Sequence, residues 1–283
     1  MSQMRVPVVV VVGAAGGIGL EIVRSLHERA HVLGVVQNEG QLVAAREAGA
    51  RDCLVCDITD SQAVAVTIDQ LLTLSSGQIS ALIVSAAMQP VGAVETIARV
   101  DLERLFAVNV FGALEVIQGL LPALRRSKGR IVLFSSLAGR MALPLVGAYA
   151  ATKFAIEGLA DSLRRELRSS GVSVSLVEPG GVNTPMAAAQ GVLAERGLAG
   201  LSPELRGVYG SLYSGYQAMT AKALRFASNP ADVARLACKA AIGSAVPRVR
   251  YVSGTDAKLM LMLARWLPVS WLDALLVKAS QAK

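Results

Sequence analysis

Five consecutive valines, Val8–Val12, run directly into a glycine-rich segment. A continuous run of β-branched residues is typical of a strand buried on both faces, as in a parallel sheet. Gly13, Gly17 and Gly19 follow, and the pattern over residues 18–28 predicts a helix. Glycines at this position let the backbone approach a phosphate at the helix N-terminus. The segment therefore predicts a dinucleotide-binding unit, with a tight turn of small residues as the alternative.

The rest of the chain alternates in the same way between strand and helix patterns. Further apolar runs predict strands at residues 32–36, 52–55, 81–84, 130–134 and 172–177, with a candidate seventh at 249–252. Helical patterns occupy residues 40–48, 62–74, 102–124 and 148–169, and Ser61 is a candidate N-cap of the second of these. The prediction is an α/β fold, a doubly wound (Rossmann-type) parallel sheet of about seven strands with helices on both faces.

The pattern loosens after Pro179. Residues 186–215 are rich in Gly, Ala and Ser, which predicts a mobile loop or substrate lid. Asn229 and Pro230 then begin another helix. No linker or internal repeat interrupts the chain, so we expect a single domain over residues 1–283.

The C-terminal tail, residues 258–278, is strongly apolar. It carries Arg265 and Asp273 and is broken at Pro268, which is too interrupted for a transmembrane helix. Packing on the core or on a partner subunit is the favoured interpretation, and interfacial membrane contact is the alternative.

Composition and charge exclude several classes of protein. Apolar residues make up 53% and charged residues 17% of the 283, so a large core can form and bulk disorder is excluded. The net charge of +7 is modest, and the basic clusters at 125–130 and 164–165 resemble solvated helix surface, so no nucleic-acid partner is predicted.

The cysteines indicate a reducing compartment. Cys53 and Cys56 form a single CxxC without the second pair or nearby histidine of a zinc site, so no metal is predicted.

Arg5 and the apolar run after it mimic a signal peptide, but the run continues into the glycine segment that the fold needs. We therefore expect a cytoplasmic chain that begins with its first strand.

Tyr149 and Lys153 are the candidate proton-transfer pair. Residues four apart lie on one face of a helix, so the ammonium can reach the phenol. A neighbouring cation favours the phenolate and would lower the pKa of the tyrosine toward neutrality. Such pairs also occur by chance on solvated helix faces, so the spacing alone does not decide.

Six motifs occur in order along the chain: Gly13-x-x-x-Gly17-x-Gly19, Asp57-Ile58, Asn109, Ser136 thirteen residues before Tyr149, Tyr149-x-x-x-Lys153, and Pro179-Gly180-Gly181-Val182-Asn183-Thr184. Together they resemble the short-chain dehydrogenase/reductase family. Glu178-Pro179-Gly180 is similar to the steroid- and retinol-dehydrogenase-like members of that family. The resemblance covers roughly residues 8–184.

The resemblance implies roles for four catalytic residues. Ser136 would hold a substrate oxygen toward Tyr149, the general acid or base. Lys153 would lower the tyrosine pKa and bind the nicotinamide ribose. Asn109 would anchor a water, or else fill a helix-bend or buried-amide role.

The resemblance also implies an NAD(P)(H) cofactor. Its expected binding residues are Gly13, Ala15, Gly17, Ile18, Gly19, Gln37, Asp57, Ile58, Ala86, Tyr149, Lys153, Pro179, Gly180, Val182 and Thr184.

Three departures from the family pattern bear on the cofactor. Val12 stands where threonine is usual, which removes a side-chain hydrogen bond. Residues 85–88 read Ser-Ala-Ala-Met instead of Asn-Asn-Ala-Gly, so Met88 could crowd the nicotinamide ribose. Gln37 and Asn38 end the second strand without a charge, which leaves NAD and NADP both open.

The sequence thus predicts a reversible alcohol/ketone or aldehyde oxidoreductase. The apolar lid and tail suggest a hydrophobic substrate such as a steroid, a retinoid or another lipid-like carbonyl compound. One alternative is a nucleotide-binding regulatory or structural protein with little turnover; another is a basic membrane- or nucleic-acid-surface protein. By resemblance, the helices at 102–124 and 148–169 would form a homodimer or homotetramer interface.

Overall fold

The computed structural model describes residues 6–280. Its seven strands are β1 (Val8–Val12), β2 (His31–Val36), β3 (Asp52–Val55), β4 (Ala81–Val84), β5 (Arg130–Phe134), β6 (Ser173–Pro179) and β7 (Arg250–Ser253). They form one parallel sheet in the order β3-β2-β1-β4-β5-β6-β7, which confirms the predicted doubly wound sheet and its seventh strand. Arg5 lies outside the described residues, so the expectations about the N-terminus and about a single domain over 1–283 stay predictions.

Twelve α-helices of the described residues connect and flank these strands. They are α1 (Gly17–Leu26), α2 (Leu42–Glu47), α3 (Ser61–Leu74), α4 (Arg99–Phe106), α5 (Ala113–Ser127), α6 (Gly147–Glu166), α7 (Pro185–Ala188), α8 (Gln190–Ala199), α9 (Pro203–Arg225), α10 (Pro230–Ile242), α11 (Thr255–Trp266) and α12 (Val269–Ser280). A π-helical turn, Ala107–Gly112, joins α4 to α5.

The sheet is buried on both faces because its strands present apolar residues to both. Val9 and Val11 belong to a core formed with α1 and α10, whereas Val10 and Val12 belong to a core formed with α3, α5 and α6. Helices therefore cover the two faces as expected for right-handed crossovers. The strand order reverses between β1 and β4, and the crevice at the carboxyl ends of these strands is where such sheets bind ligands.

Three expectations about local structure are corrected. The segment 186–215 is not an irregular loop, because α7, α8 and most of α9 occupy it; whether it moves as a lid stays a prediction. The N-cap of α3 is Asp60, whose carboxylate accepts hydrogen bonds from the Gln62 and Ala63 amides, and Ser61 is the first helical residue. The predicted helix at 102–124 is interrupted by the π-helical turn.

A buried ion-pair cluster fastens α6 to β6 and β7. Arg250 Nη2 lies 2.9 Å from Glu157 of α6, and Arg250 Nε lies 2.9 Å from Glu178 of β6. Glu178 is fully buried, and this burial, together with repulsion from Glu157, raises its pKa to about 7. Arg140 Nη1 lies 3.6 Å from Glu178 as well, so Arg250 is the shared cation of two buried carboxylates and Arg140 is a second, more distant one for Glu178.

Removing that guanidinium should destabilise the fold. We expect Arg250→Met to lower the free energy of unfolding by about 3 kcal/mol at pH 7, because it leaves the buried Glu157 without a cation and Glu178 with only the more distant Arg140. The matched control is Arg248→Met, since Arg248 is exposed and makes no ion pair among residues 6–280; its effect should stay within about 0.5 kcal/mol. Urea unfolding of both variants measures this. Equal losses in the two would show that the cluster contributes nothing specific.

Candidate active site

A cavity of about 620 Å³ opens at the carboxyl ends of β1, β2 and β4. Nine of the predicted cofactor-binding residues line it, namely Gly13, Gly17, Ile18, Gly19, Gln37, Asp57, Ile58, Ala86 and Thr184. The other predicted cofactor-binding residues, Ala15, Tyr149, Lys153, Pro179, Gly180 and Val182, are not part of its lining.

The glycine loop of this cavity leaves no room for side chains. Gly13 has φ +84°, and a Cβ there would lie 2.6 Å from the Ala86 amide nitrogen. A Cβ on Gly19 would lie 2.0 Å from the Gly13 carbonyl oxygen. The loop thus brings backbone to the cavity wall at the start of α1, which fits a pyrophosphate held at a helix N-terminus.

Ser85 holds this loop where the family's threonine is absent. Its Oγ donates a hydrogen bond to the Val12 carbonyl oxygen at 2.9 Å, and its amide donates to the same oxygen at 2.9 Å. These two bonds join the loop after β4 to the carboxyl end of β1.

Asp57 forms the opposite wall of the cavity. Its carboxylate accepts hydrogen bonds from the Thr59 amide at 3.0 Å and the Thr59 hydroxyl at 2.8 Å, and these bonds lower its pKa. Gln37 and Arg104 lower the same pKa further. The end of β2 offers an amide rather than a charge, so this wall favours neither NAD nor NADP.

Ser136, Tyr149 and Lys153 come together beside this cavity, at the carboxyl end of β5. Ser136 Oγ accepts a hydrogen bond from the Ala138 amide at 3.1 Å, and the Ser136 side chain is close enough to Tyr149 to oppose the rise in its pKa. Lys153 Nζ donates to the Phe134 carbonyl oxygen at 2.8 Å and lies 5.6 Å from the centroid of the Tyr149 ring.

Burial shifts the pKa values of both members of the tyrosine–lysine pair. It raises the pKa of Tyr149 to about 12, although the Ser136 hydrogen bond opposes this, and it lowers the pKa of Lys153 to about 8. The expectation that Lys153 lowers the tyrosine pKa toward neutrality is therefore wrong for this structure. The reason is that desolvation disfavours the charged form of each group, and the ammonium is directed at a carbonyl oxygen.

Asn109 fills the buried-amide role that the sequence left open. Its side chain accepts from the Met88 amide at 2.8 Å and donates to the Met88 carbonyl and to Thr152 Oγ1, both at 3.0 Å. Thr152 in turn donates to the Tyr149 carbonyl oxygen at 2.7 Å. The Asn109 amide thus ties the loop after β4 to the helix that carries Tyr149, and its side chain is occupied by these partners.

A second cavity, of about 340 Å³, lies on the other side of Met88. Met88 and Arg104 line both cavities. The remaining lining of the second cavity is mainly apolar and includes Leu145, Ala148 and Tyr213. Ser136, Tyr149 and Lys153 are absent from the described lining of either cavity, and Tyr149 packs instead in an apolar cluster with Tyr213 and Tyr216.

Sequence reasoning missed the side chains of α8 and α9 that cover Tyr149. The Tyr216 hydroxyl donates to Gln190 Oε1 at 2.9 Å, and Gln190 Nε2 donates to the Gln89 and Met186 carbonyl oxygens at 3.2 and 3.1 Å. Tyr216 is close enough to Tyr149 that the phenol raises its pKa. The signal was the spacing of residues 209, 213 and 216, a tyrosine stripe on one helix face.

Residues 6–280 contain no cluster of three or more His, Cys, Asp or Glu side chains that could hold a metal ion. Cys53, Cys56 and Cys238 are free and buried, and burial raises the pKa of each thiol. One described helical run, Arg99–Ser127, is long and apolar enough to cross a membrane, but 44% of its most apolar window is buried against the rest of the fold.

Comparison with known proteins agrees with the fold and the motifs. A sequence profile described as short chain dehydrogenase matches residues 7–192. The uncharacterized oxidoreductase YbbO of Escherichia coli (strain K12) is 36% identical over 178 residues, which cover 62% of this chain and 66% of that protein. The probable short-chain type dehydrogenase/reductase VdlC of Helicobacter pylori is 32% identical over 270 residues, covering 94% and 95% of the two chains. Human retinol dehydrogenase 16 is 28% identical over 304 aligned positions, covering 100% and 92%.

Solved structures share the whole fold. A short-chain dehydrogenase from Streptomyces avermitilis superposes with a TM-score of 0.75 at 26% identity, covering 98% of this chain and 96% of that one. A short-chain dehydrogenase from Burkholderia cenocepacia in complex with NADP gives a TM-score of 0.70 at 21% identity, covering 99% and 100%. Together with the glycine loop and the Ser136, Tyr149 and Lys153 contacts, the profile and the relatives show that the chain belongs to the short-chain dehydrogenase/reductase family of NAD(P)-dependent oxidoreductases.

Proposed function

We propose that this protein interconverts an apolar alcohol and the corresponding ketone or aldehyde, with Tyr149 as the general acid or base. The observation that carries the proposal is the Lys153 ammonium 5.6 Å from the buried Tyr149 ring, with Ser136 near enough to act on the pKa of the phenol. A hydroxyl that can orient an oxygen and a phenol that can exchange its proton are the groups that such a reaction requires.

The chain offers matching groups for a nicotinamide cofactor, which when bound supplies or accepts the hydride. The glycine loop would hold the pyrophosphate, and Asp57 and Ile58 the adenine end. Tyr149 and Lys153 would hold the nicotinamide ribose, and the segment Pro179–Thr184 the ring itself. The steric exclusion of side chains from Gly13 and Gly19 supports this arrangement, because only bare backbone can approach a pyrophosphate so closely.

The raised pKa of Tyr149 favours the reductive direction near neutral pH. A phenol with a pKa of about 12 is protonated there, so it can give its proton to a carbonyl oxygen that Ser136 holds. Lys153, with a pKa of about 8, is largely charged at pH 7, and its ammonium donates to the Phe134 carbonyl oxygen. Oxidation needs the deprotonated phenol and should therefore become faster as the pH rises.

An apolar substrate fits the surroundings of the phenol. Tyr149 is buried among apolar side chains of α8 and α9, and the cavity beside Ala148 is mainly apolar. Human retinol dehydrogenase 16 is among the relatives, which agrees with a retinoid, a steroid or another lipid-like carbonyl compound.

We further propose a cytoplasmic homodimer or homotetramer. The helices that resemblance assigns to the interface carry exposed phenylalanines, Phe111 on the π-helical turn and Phe154 on α6. Exposed aromatic side chains of this size on neighbouring helices favour burial against a second copy. Light scattering at micromolar concentration tests this, and a monomer would contradict it.

Substitution of Tyr149 tests the function directly. After screening apolar ketones and aldehydes with NADH and with NADPH, we expect Tyr149→Phe to lower kcat at least about 100-fold, because the proton donor is lost. The control is Tyr209→Phe, whose exposed hydroxyl donates to Glu95 at 2.6 Å, and it should retain activity. Full activity of Tyr149→Phe would refute the mechanism. Nucleotide binding without turnover on a broad panel would favour the alternative, a nucleotide-binding regulator.

The lysine pKa gives a second prediction. The pKa of Lys153 is about 8 in the folded protein, whereas its ordinary value is 10.5. Between pH 8 and pH 10.5 the unfolded chain therefore binds more protons than the folded protein, and the free energy of unfolding should rise with pH. Relative to Lys153→Met, we expect the free energy of unfolding of the wild type to increase by about 2–3 kcal/mol from pH 7 to pH 10. Urea unfolding of the wild type and of Lys153→Met at both pH values measures this increase. Both proteins contain Tyr149, so its ionisation cancels in the comparison. Parallel pH profiles of the two proteins would contradict a buried, shifted lysine.

A further inference from the structure

The helices α11 and α12 form a hairpin whose outer side chains are apolar. Leu259, Met262 and Trp266 are spaced three and four residues apart, so they lie along one side of α11, and all three are exposed. Trp271 and Leu275 are exposed at a spacing of four on α12. These side chains form the surface that we name the hairpin surface, and Val269 joins its two halves.

Both tryptophans of the chain lie on the hairpin surface. Trp266 is 76% exposed and Trp271 is 68% exposed, on either side of the turn between the helices. Large aromatic side chains are seldom left in water without a partner. Tryptophan is enriched where a protein meets the boundary between lipid headgroups and acyl chains, because its ring is apolar and its N–H is polar.

The charges around the hairpin surface are mostly positive. Lys258, Arg265 and Lys278 on the two helices stand against Asp256 and Asp273, and the Arg265 guanidinium lies 5.7 Å from the Trp266 ring centroid. Basic residues beside exposed aromatic ones complement anionic lipid headgroups. A second copy of the same surface would bring like charges together.

The lengths of the helices determine how they would meet a membrane. Each has 12 residues, about 18 Å of helix, which is too short for a hydrocarbon core of about 30 Å. The hairpin can therefore lie in the interface but not cross it. α11 also contacts the short helical turn Leu137–Gly139, whose N-cap is Ser136. The hairpin surface therefore lies close to the candidate active site.

We propose that the hairpin surface binds the headgroup region of an anionic lipid membrane, with Trp266 and Trp271 inserted between headgroups. The proposal goes beyond the redox function and does not depend on it. Should the substrate be lipid-like, this docking would place the site at the surface where such a compound is dissolved.

Tryptophan fluorescence tests the proposal, because both reporters lie on the surface in question. With vesicles of phosphatidylcholine and phosphatidylserine, the tryptophan emission should shift to shorter wavelength and the protein should co-sediment with the vesicles. Both the shift and the co-sedimentation should be weaker with pure phosphatidylcholine or at high salt. The double variant Trp266→Ser/Trp271→Ser should sediment with about tenfold lower affinity. The matched control is Val43→Ser, since Val43 is 61% exposed on α2, which packs at the opposite edge of the sheet.

Two results would overturn the proposal. One is the absence of both an emission shift and sedimentation with anionic vesicles. The other is a wild-type oligomer in buffer that the double variant converts to a monomer, with no vesicle binding by either, which would show that a second copy covers the hairpin. Circular dichroism and thermal unfolding should show that the variants remain folded.

An independent observation concerns Asp256, in the first turn of α11. Its Oδ2 accepts a hydrogen bond from the Gly181 amide at 2.8 Å, across 75 residues of chain. A Cβ on Gly180 would lie 2.3 Å from the same oxygen, so the carboxylate sits directly on the loop backbone. Asp256 lies beyond residues 7–192, the part of the chain that matches the family profile, whereas Gly180 and Gly181 lie within it.

The loop that Asp256 contacts is held on its other sides as well. The Ser228 amide donates to the Gly181 carbonyl oxygen at 2.9 Å, and the Asn183 amide donates to the Ser228 carbonyl oxygen at 3.0 Å. Thr184 packs so closely on the glycine loop that a Cβ on Gly17 would lie 3.0 Å from its side chain. The loop is therefore fixed between α11 and the glycine loop, and Asp256 supplies the side-chain contact.

We infer that Asp256 is a positioning residue for the segment Pro179–Thr184. The inference rests on the proposed function in one respect, the assignment of that segment to the cofactor. Because Asp256 is exposed, its substitution should not disturb the core.

Two substitutions separate positioning from a general effect on folding. Asp256→Asn keeps an acceptor oxygen and Asp256→Ala removes it, while both lose the charge. Asp256→Ala should weaken NADH or NADPH binding about tenfold and Asp256→Asn about twofold or less, with little change in Tm. Amide exchange of residues 180–186 should be faster in Asp256→Ala, and Asp273→Ala is the control.

Equal nucleotide affinity and equal exchange in Asp256→Ala and the wild type would overturn the inference. If the wild type binds neither nucleotide, the proposed cofactor role fails, and amide exchange alone then decides whether Asp256 holds the loop.

Discussion

The close approach of the loop after β1 to the loop after β4 is the constraint on which the site depends. Gly13 lies against the Ala86 backbone with no space for a Cβ, and Ser85 donates to the Val12 carbonyl oxygen. These contacts join the two strands where the order of the sheet reverses, so they form one wall of the glycine-loop cavity. Asn109 then fastens Met88 to α6, so the position of the glycine loop is linked to that of Tyr149.

Burial sets the chemistry of the candidate catalytic pair. Tyr149 and Lys153 are both removed from water, so desolvation favours the neutral phenol and the neutral amine. The Ser136 hydrogen bond acts against this for the tyrosine. The phenol of Tyr149 is therefore protonated near neutral pH, which is the state that the proposed reduction needs.

Sequence was sufficient where the pattern is local. Valine runs identify strands buried on both faces, and the spacing from Gly13 to Gly19 and from Ser136 to Lys153 identifies the motifs. Sequence failed over residues 186–215, because Gly and Ala concealed the tyrosine stripe of α9. It also gave the wrong pKa direction for Tyr149, since desolvation depends on side chains of α8 and α9 that are distant in sequence.

The part of the chain after the family profile surrounds the motifs that the profile contains. Tyr216 of α9 packs in the apolar cluster that buries Tyr149, and Asp256 of α11 accepts a hydrogen bond from the Gly181 amide in the loop after β6. A motif can fix the reacting groups because it sets only their spacing along one helix and one strand end. The groups that admit a substrate or hold the loop come from separate helices, and only tertiary packing brings them to the site.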